Sequence, residues 1–213
     1  MRYFEDVYTA KPRPYGDGPS EAGKALAEHI AKKKMAAKPK VIDLGCGYGR
    51  DCIHLGKNGC DVTGIDTSRR GILTAQLWAR QENLDIKFMT KDLLDTGLPD
   101  KTFDGILCVG VLEYIDSRWR PKVAHEIWRL AAPGGALGLM ALATDDPDLG
   151  TGKDLGENTW EVSPGVPVHF FTEREVRQIF PDFEKLRLEV ITVREDIRGP
   201  RDRRYWFMLG QRP

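Results

Sequence analysis

From Lys40 onward, short apolar runs rich in β-branched residues alternate with longer stretches of helical period, and that alternation admits few folds. KVIDL (40–44), CDVTGI (60–65), DIKFM (85–89), DGILCVG (104–110) and ALGLMAL (136–142) are nearly continuous in apolar character, as strands covered on both faces must be. Helical period returns at 50–57, 68–82 and 118–131. The last stretch carries Trp119, Val123, Ile127 and Leu130 on one face and stops at Pro133-Gly134-Gly135. The expected class is therefore α/β, a parallel sheet wrapped by helices. Ahead of it, Pro19-Ser20 opens an amphipathic helix with Leu26, Ile30 and Met35, closed by the solvated run Lys32-Lys33-Lys34. Behind it, Thr172-Glu-Arg-Glu175 forms a capping box for a helix reaching about Phe180, and 185–193 with 204–209 read as a terminal antiparallel hairpin. Residues 144–168 are polar and punctuated by Gly and Pro, too long for a plain connector, and are expected to form a lid or substrate loop. A length of 213 residues suits one domain, 1–213, with 1–38 as an N-terminal cover segment and helix.

Lys and Arg number 32, as do Asp and Glu, so no net charge draws the chain to nucleic acid or to an anionic membrane. The longest apolar runs fall far short of the roughly 20 residues of a membrane span, and MRYFEDVYTAKPRP has no leader-like apolar core. A cytoplasmic protein is expected, monomeric or homodimeric, with neither nucleic acid nor membrane as partner. Cys46, Cys52, Cys60 and Cys108 have no C-x-x-C spacing, and Asp145, Asp146, Asp148 and Asp154 depart from calcium-loop spacing, so no metal site is expected.

VIDLGCGYGR (41–50) ends a strand and opens a helix, the setting in which a glycine turn brings backbone close to a ligand. The G-x-G-x-x-G spacing of a pyrophosphate turn is missing, and Asp43 just ahead of the glycines repels a diphosphate while suiting an ammonium or sulfonium centre. Asp66 closes the second strand about 20 residues on, where a carboxylate meets ribose hydroxyls. Asp92 follows the third strand, where it meets the adenine amine while Leu93 covers the ring. Three acids at three successive strand ends imply one crevice that takes a nucleoside with a cationic tail.

Those segments, VIDLGCGYGR, GIDTS, KDLL, FDGILCVGVLEYI and LAAPGGALGLM, resemble the class I S-adenosylmethionine-dependent methyltransferases across about 40 to 142. The resemblance implies a Rossmann-like seven-stranded, mostly parallel sheet of order 3-2-1-4-5-7-6 with strand 7 antiparallel. It also implies S-adenosyl-L-methionine as cofactor. Asp43, Gly45 and Gly47 would surround the methionyl tail, Asp66 the ribose, and Asp92 with Leu93 the adenine; Cys46, Gly49, Thr67 and Val109 complete the expected set. The segment from Val109 to Glu113 would border the methyl group. GCGYGRD and PVHFFTEREVRQIF further resemble the small-molecule branch that includes tellurite-resistance and thiopurine-type enzymes.

Methyl transfer from a sulfonium is an in-line displacement that needs alignment and a dry pocket more than a base. Glu113, His169 and Arg204 are the expected catalytic residues: two proton acceptors and one cation at a strand mouth. The neighbouring Arg194, Arg198, Arg201 and Arg203 are expected in a solvated turn, and Tyr3, Phe4, Tyr8 and Tyr15 as an aromatic cover. The expected acceptor is a small molecule, in particular a thiol or chalcogen anion held by His169 and Arg204. Two alternatives belong to other classes, an NAD-dependent oxidoreductase and a non-catalytic S-adenosylmethionine-binding module or partner subunit.

Overall fold

The structure, a computed structural model, describes residues 2–33, 35–195 and 199–213. Lys34 of the lysine run, and Asp196 and Arg198 of the hairpin connection, lie outside the described residues. Helices α1 (Arg2–Ala10) and α2 (Glu21–Lys32) precede β1 (Lys40–Leu44), α3 (Arg50–Lys57), β2 (Asp61–Asp66), α4 (Arg69–Gln81), β3 (Lys87–Thr90) and β4 (Phe103–Val109). After a 3-10 turn at Leu112–Tyr114 come α5 (Arg120–Leu130) and β5 (Ala131–Leu142), then the short strands β6 (Lys153–Gly156), β7 (Thr159–Ser163) and β8 (Val166–His169). The chain continues with α6 (Glu173–Ile179), β9 (Glu184–Glu195) and β10 (Arg201–Gln211).

The main sheet runs β3-β2-β1-β4-β5-β10-β9, with β10 antiparallel to both its neighbours. With its seven strands counted alone this is 3-2-1-4-5-7-6, the expected order. Alternation along β1 and β4 divides the core between two faces. Val41 and Leu107 join α2, α3 and α4 on one side; Ile42, Ile106 and Cys108 join α5 and α6 on the other. Burial on both faces explains why the strands read as unbroken apolar runs. Leu26 and Ile30 anchor α2 to the first face, each such side chain stabilising the fold by about 1.5–3 kcal/mol.

Four local expectations are corrected. Residues 144–168 are not a plain loop, because β6, β7 and β8 form a separate antiparallel sheet. Trp119 precedes α5 and is 47% exposed, so it leaves the apolar face that Val123, Ile127 and Leu130 share. Pro133-Gly134-Gly135 lies within the irregular start of β5, whose Ala131 already pairs with Phe103, so α5 stops at Leu130 ahead of the proline. Met35 lies beyond the end of α2 and is exposed.

Candidate functional site

The loop from β1 to α3 turns back over the sheet because Gly45, Gly47 and Gly49 all take positive φ, at 80°, 53° and 83°. Gly45 N and Cys46 N both donate to Ile65 O, at 2.8 and 2.9 Å, which fastens the turn to the end of β2. Asp66 adds a second clamp: its Oδ2 accepts from Gly47 N at 2.8 Å and its Oδ1 from Ser68 N at 2.7 Å. Side chains are excluded where the turn faces the crevice. A Cβ on Gly45 would lie 2.3 Å from Val111 Cγ2, and one on Gly47 2.2 Å from Tyr8 Oη. Gly49 differs, since its Cβ would meet Ala75 and Phe88 in the packing between α4 and β3. It starts α3 and does not line the crevice.

Below the turn opens a cavity of about 360 Å3, the size of an ordinary small-molecule site. Of the predicted cofactor residues, Asp43, Gly45, Cys46, Gly47, Asp66, Thr67, Asp92, Leu93 and Val109 all line it, at the carboxyl ends of β1 to β4. Asp43 is 3% exposed and accepts a hydrogen bond from Cys52 Sγ at 3.3 Å. Burial, reinforced by Asp51 and Asp66, pushes its carboxyl well above the usual carboxylate range. Burial likewise raises Asp66, against the backbone N–H groups that favour its charged form. Asp92 Oδ1 caps Leu94 N at 2.9 Å. The floor is thus a concentration of carboxylates, with Arg50 and Lys91 as cations on its wall.

Helix α1 closes one side. Glu5 accepts from Arg69 N at 2.6 Å and Arg70 N at 3.2 Å, capping the amino end of α4, and this holds Phe4 and Tyr8 against the cavity. Tyr15 joins them on the wall, stacked on Tyr48 and under Arg50. Tyr3 stands further out, in an annex considered below.

The three predicted catalytic residues separate. Glu113, at the exit of β4, is in the cavity, 3% exposed, and its Oε2 has no hydrogen-bond partner among the described residues. Burial pushes its carboxyl up to about 8. His169 is 1% exposed and lines neither the cavity nor the annex. Its Nδ1 is 2.9 Å from Thr159 Oγ1 and its Nε2 3.1 Å from Glu175 Oε1, the residue that also closes the capping box of α6. Both ring nitrogens are used in joining β7, β8 and α6. Arg204 has an exposed side chain, and its backbone is what reaches inward, the N–H donating to Asp146 Oδ2 at 2.8 Å and the carbonyl accepting from Ala143 N at 2.9 Å.

The buried guanidinium belongs to Arg203, one residue earlier, on the same face of β10 as Tyr205 and Phe207. Its Nε donates to Asp146 Oδ2 at 2.8 Å, its Nη1 lies 3.3 Å from Asp148 Oδ2, and Arg201 Nη1 lies 2.8 Å from Asp148 Oδ1. Asp146 and Asp148 are therefore ion-pair partners of the hairpin and not free polar residues of a lid. Arg50, Tyr114, Glu195 and Tyr205 also line the crevice without having been singled out. For Arg203 and Tyr205 the usable signal is strand alternation. For Glu195 it is the pairing across the hairpin, which places Glu195 opposite Arg201.

Replacing His169 by Ala is expected to lower stability by about 1–3 kcal/mol, because Thr159 Oγ1 and Glu175 lose a buried partner. That corresponds to about 2–4 °C in Tm per kcal/mol, read by thermal denaturation. S-adenosylhomocysteine affinity, measured by calorimetry, is expected to stay within twofold of wild type. The ring is held below its usual protonation range by burial and by Arg120, so its contribution is present above pH 6.5 and is lost as pH falls below it.

Residues 41–135 match the family model of a methyltransferase domain. Norajmaline N-methyltransferase of Rauvolfia serpentina is 33% identical over 110 residues, 50% of this chain and 37% of that protein. The chain spans under half the length of the first curated relatives it matches, 37%, 44% and 45%. Among solved structures, one described as "Conversion of a Disulfide Bond into a Thioacetal Group during Echinomycin Biosynthesis" superposes with a TM-score of 0.77 at 24% identity, covering 99% of this chain and 92% of that one. Magnesium protoporphyrin IX methyltransferase of Synechocystis PCC 6803, with bound S-adenosylhomocysteine, gives 0.74 at 21% identity, covering 99% and 96%. At these identities the likeness to solved structures is one of fold. Sheet order, glycine turn and strand-end carboxylates agree with the match of residues 41–135 to a methyltransferase domain, and in fold the chain is similar to the S-adenosylmethionine-dependent methyltransferases.

Proposed function

We propose that this protein transfers a methyl group from S-adenosylmethionine to a small-molecule acceptor. The observation that carries the reading is the buried carboxylate Asp43 beneath a turn from which Cβ atoms are excluded at Gly45 and Gly47. A cationic tail compensates the carboxylate, and backbone alone leaves room for it. The residues fit the cofactor: Asp43, Gly45 and Gly47 would hold its methionyl end, Asp66 and Thr67 the ribose, Asp92 and Leu93 the adenine. When bound, S-adenosylmethionine supplies an electrophilic methyl carbon on a positively charged sulfur. The chain's own part is to bind and align the reactants and exclude water, with Val109 to Glu113 facing the reacting end and α1 as cover. The β6–β8 sheet is assigned the role of lid, beside the acceptor.

A thiol or chalcogen anion as acceptor draws less support. It needs His169 and Arg204 to hold the anion. Arg204 points to solvent, His169 is engaged in the fold, and Glu113 stands in the crevice.

Asp66→Ala is expected to weaken S-adenosylhomocysteine binding at least tenfold, about 1.5–3 kcal/mol, since a charge-assisted contact and the clamp on Gly47 N are lost together. Calorimetric titration with S-adenosylhomocysteine and, separately, with NADH tests the assignment; tighter binding of NADH by the wild-type chain would overturn it.

A further inference from the structure

Next to the main cavity lies an annex of about 40 Å3, with space for about three water-sized groups. The two share Tyr15, Tyr114, Glu195 and Tyr205, and Glu113 stands on the cavity side beside Tyr114. Two features of the annex decide what it takes. Tyr3, Tyr15, Tyr114 and Tyr205 contribute to its walls, with the Tyr3 and Tyr114 rings 6.4 Å apart. Its charges do not cancel. Arg201 and Arg203 are matched by Asp148 and Asp146, which leaves Glu195 without an ion pair among the described residues, and Glu113 on the cavity side adds a second negative charge in its ionised form. Tyr205 Oη donates to one oxygen of Glu195 at 2.6 Å, while Glu113 Oε2 is buried without a partner among the described residues.

Deepening the methyltransferase reading, on which it rests, we infer that the acceptor is an amine, whose ammonium head sits on the cavity side of the mouth formed by Tyr15, Tyr114 and Tyr205 and is held by Glu195 and by ionised Glu113, the latter taking its proton. An anion entering the same space meets Glu195 with no cation among the residues that the annex shares with the cavity. A cation gains from both the carboxylates and the π faces. The step balances as follows. A nitrogen–hydrogen bond of the ammonium breaks and its proton passes to Glu113 Oε2, leaving the electron pair on nitrogen. Nitrogen then bonds to the methyl carbon as the sulfur–carbon bond breaks and its pair returns to sulfur, so the positive charge moves from sulfur to the methylated nitrogen. The proton on Glu113 leaves to solvent with the product. An alkylammonium ionises near 10 and an ordinary carboxylic acid near 4, a gap of about six decades. Burial narrows that gap by pushing Glu113 up, to about 8 in the ligand-free protein.

The test uses the full chain saturated with S-adenosylhomocysteine and titrated with tetramethylammonium, tert-butanol and acetate. Tetramethylammonium is expected to bind at least tenfold more tightly than either of the others. Glu113→Gln and Glu195→Gln are each expected to weaken it at least fivefold, with S-adenosylhomocysteine affinity within twofold of wild type. Acetate binding as tightly as tetramethylammonium overturns the proposal. So does a matching loss of S-adenosylhomocysteine affinity in Glu113→Gln, which assigns that carboxylate to the cofactor. If the wild-type chain binds no S-adenosylhomocysteine, the methyltransferase reading itself falls, a result separate from either of these. In turnover with amines, phenols and thiols of matched carbon skeleton, methylation of amines with kcat lowered at least 100-fold and KM little changed in Glu113→Gln supports the role. Turnover confined to phenols or thiols sinks it.

Discussion

Gly47→Ala is expected to reduce S-adenosylhomocysteine affinity about 100-fold or more, the larger part through displacement of α1. Two costs act together. At φ 53° an alanine is strained by about 1–2 kcal/mol, and its Cβ would lie 2.2 Å from Tyr8 Oη and 3.0 Å from Tyr8 Cζ. The ring cannot simply turn aside, because Tyr8 is buried with Phe4 and Tyr48 around it. Relief therefore requires α1 to lift, which pulls Glu5 from the backbone N–H groups of Arg69 and Arg70. The cofactor then loses both the close approach of the turn and the cover above it. Calorimetry on Gly47→Ala, Tyr8→Ala and the double variant separates the two costs. If the clash with Tyr8 dominates, the double variant binds more tightly than Gly47→Ala alone; if Gly47→Ala binds as wild type, the turn is not the site.

How much of this is legible in the sequence follows from how each element is buried. Strands β1, β4 and β5 are covered on both faces, so their apolar runs stand out against any register. The capping box at Thr172 is a local signal and is formed as expected, with Thr172 Oγ1 and Glu175 exchanging bonds across it. The crevice acids are readable because each sits at a strand end, a position that the alternation itself fixes. The β6–β8 sheet is not readable, since β6 is exposed throughout and β7 half-buried, and neither period 2 nor an apolar run develops. Arg203 and Arg204 show a finer failure. Beyond Phe207 the strand β10 is buried on both faces, so its period is lost there and survives from Asp202 to Phe207. Choosing the wrong neighbour moves a guanidinium from the annex to solvent. The partners of Arg203, Asp146 and Asp148, come from the turn that follows β5, the strand beside β10, a pairing over more than 50 residues of chain that no local pattern announces.

Asp43→Asn is expected to separate stability from binding more sharply than any other single change in the crevice. In the ligand-free protein the carboxyl is buried beside Asp51 and Asp66, and its proton affinity is raised well above that of the unfolded chain. The folded state then binds more protons than the unfolded state between the ordinary carboxylate value, 3.8, and the raised folded value. Stability is therefore lost as pH rises through that window. Asp66 and Glu113, also raised by burial, contribute with the same sign. The asparagine keeps the shape and removes the ionisation, so the ligand-free variant should gain about 1–2 kcal/mol near neutral pH, about 2–4 °C in Tm for each. Its Tm should also depend less on pH than that of wild type. Cofactor binding should move the other way. A cationic tail favours ionised Asp43, so binding to wild type releases a proton and strengthens as pH rises toward the raised value. Without that charge the variant should lose about 2–4 kcal/mol, or 30- to 1000-fold in S-adenosylhomocysteine affinity. Titrations in buffers of different ionisation enthalpy count the released proton directly. A variant that is no more stable than wild type, binds equally well and releases the same proton would mean that Asp43 neither stores this strain nor meets the cofactor's charge.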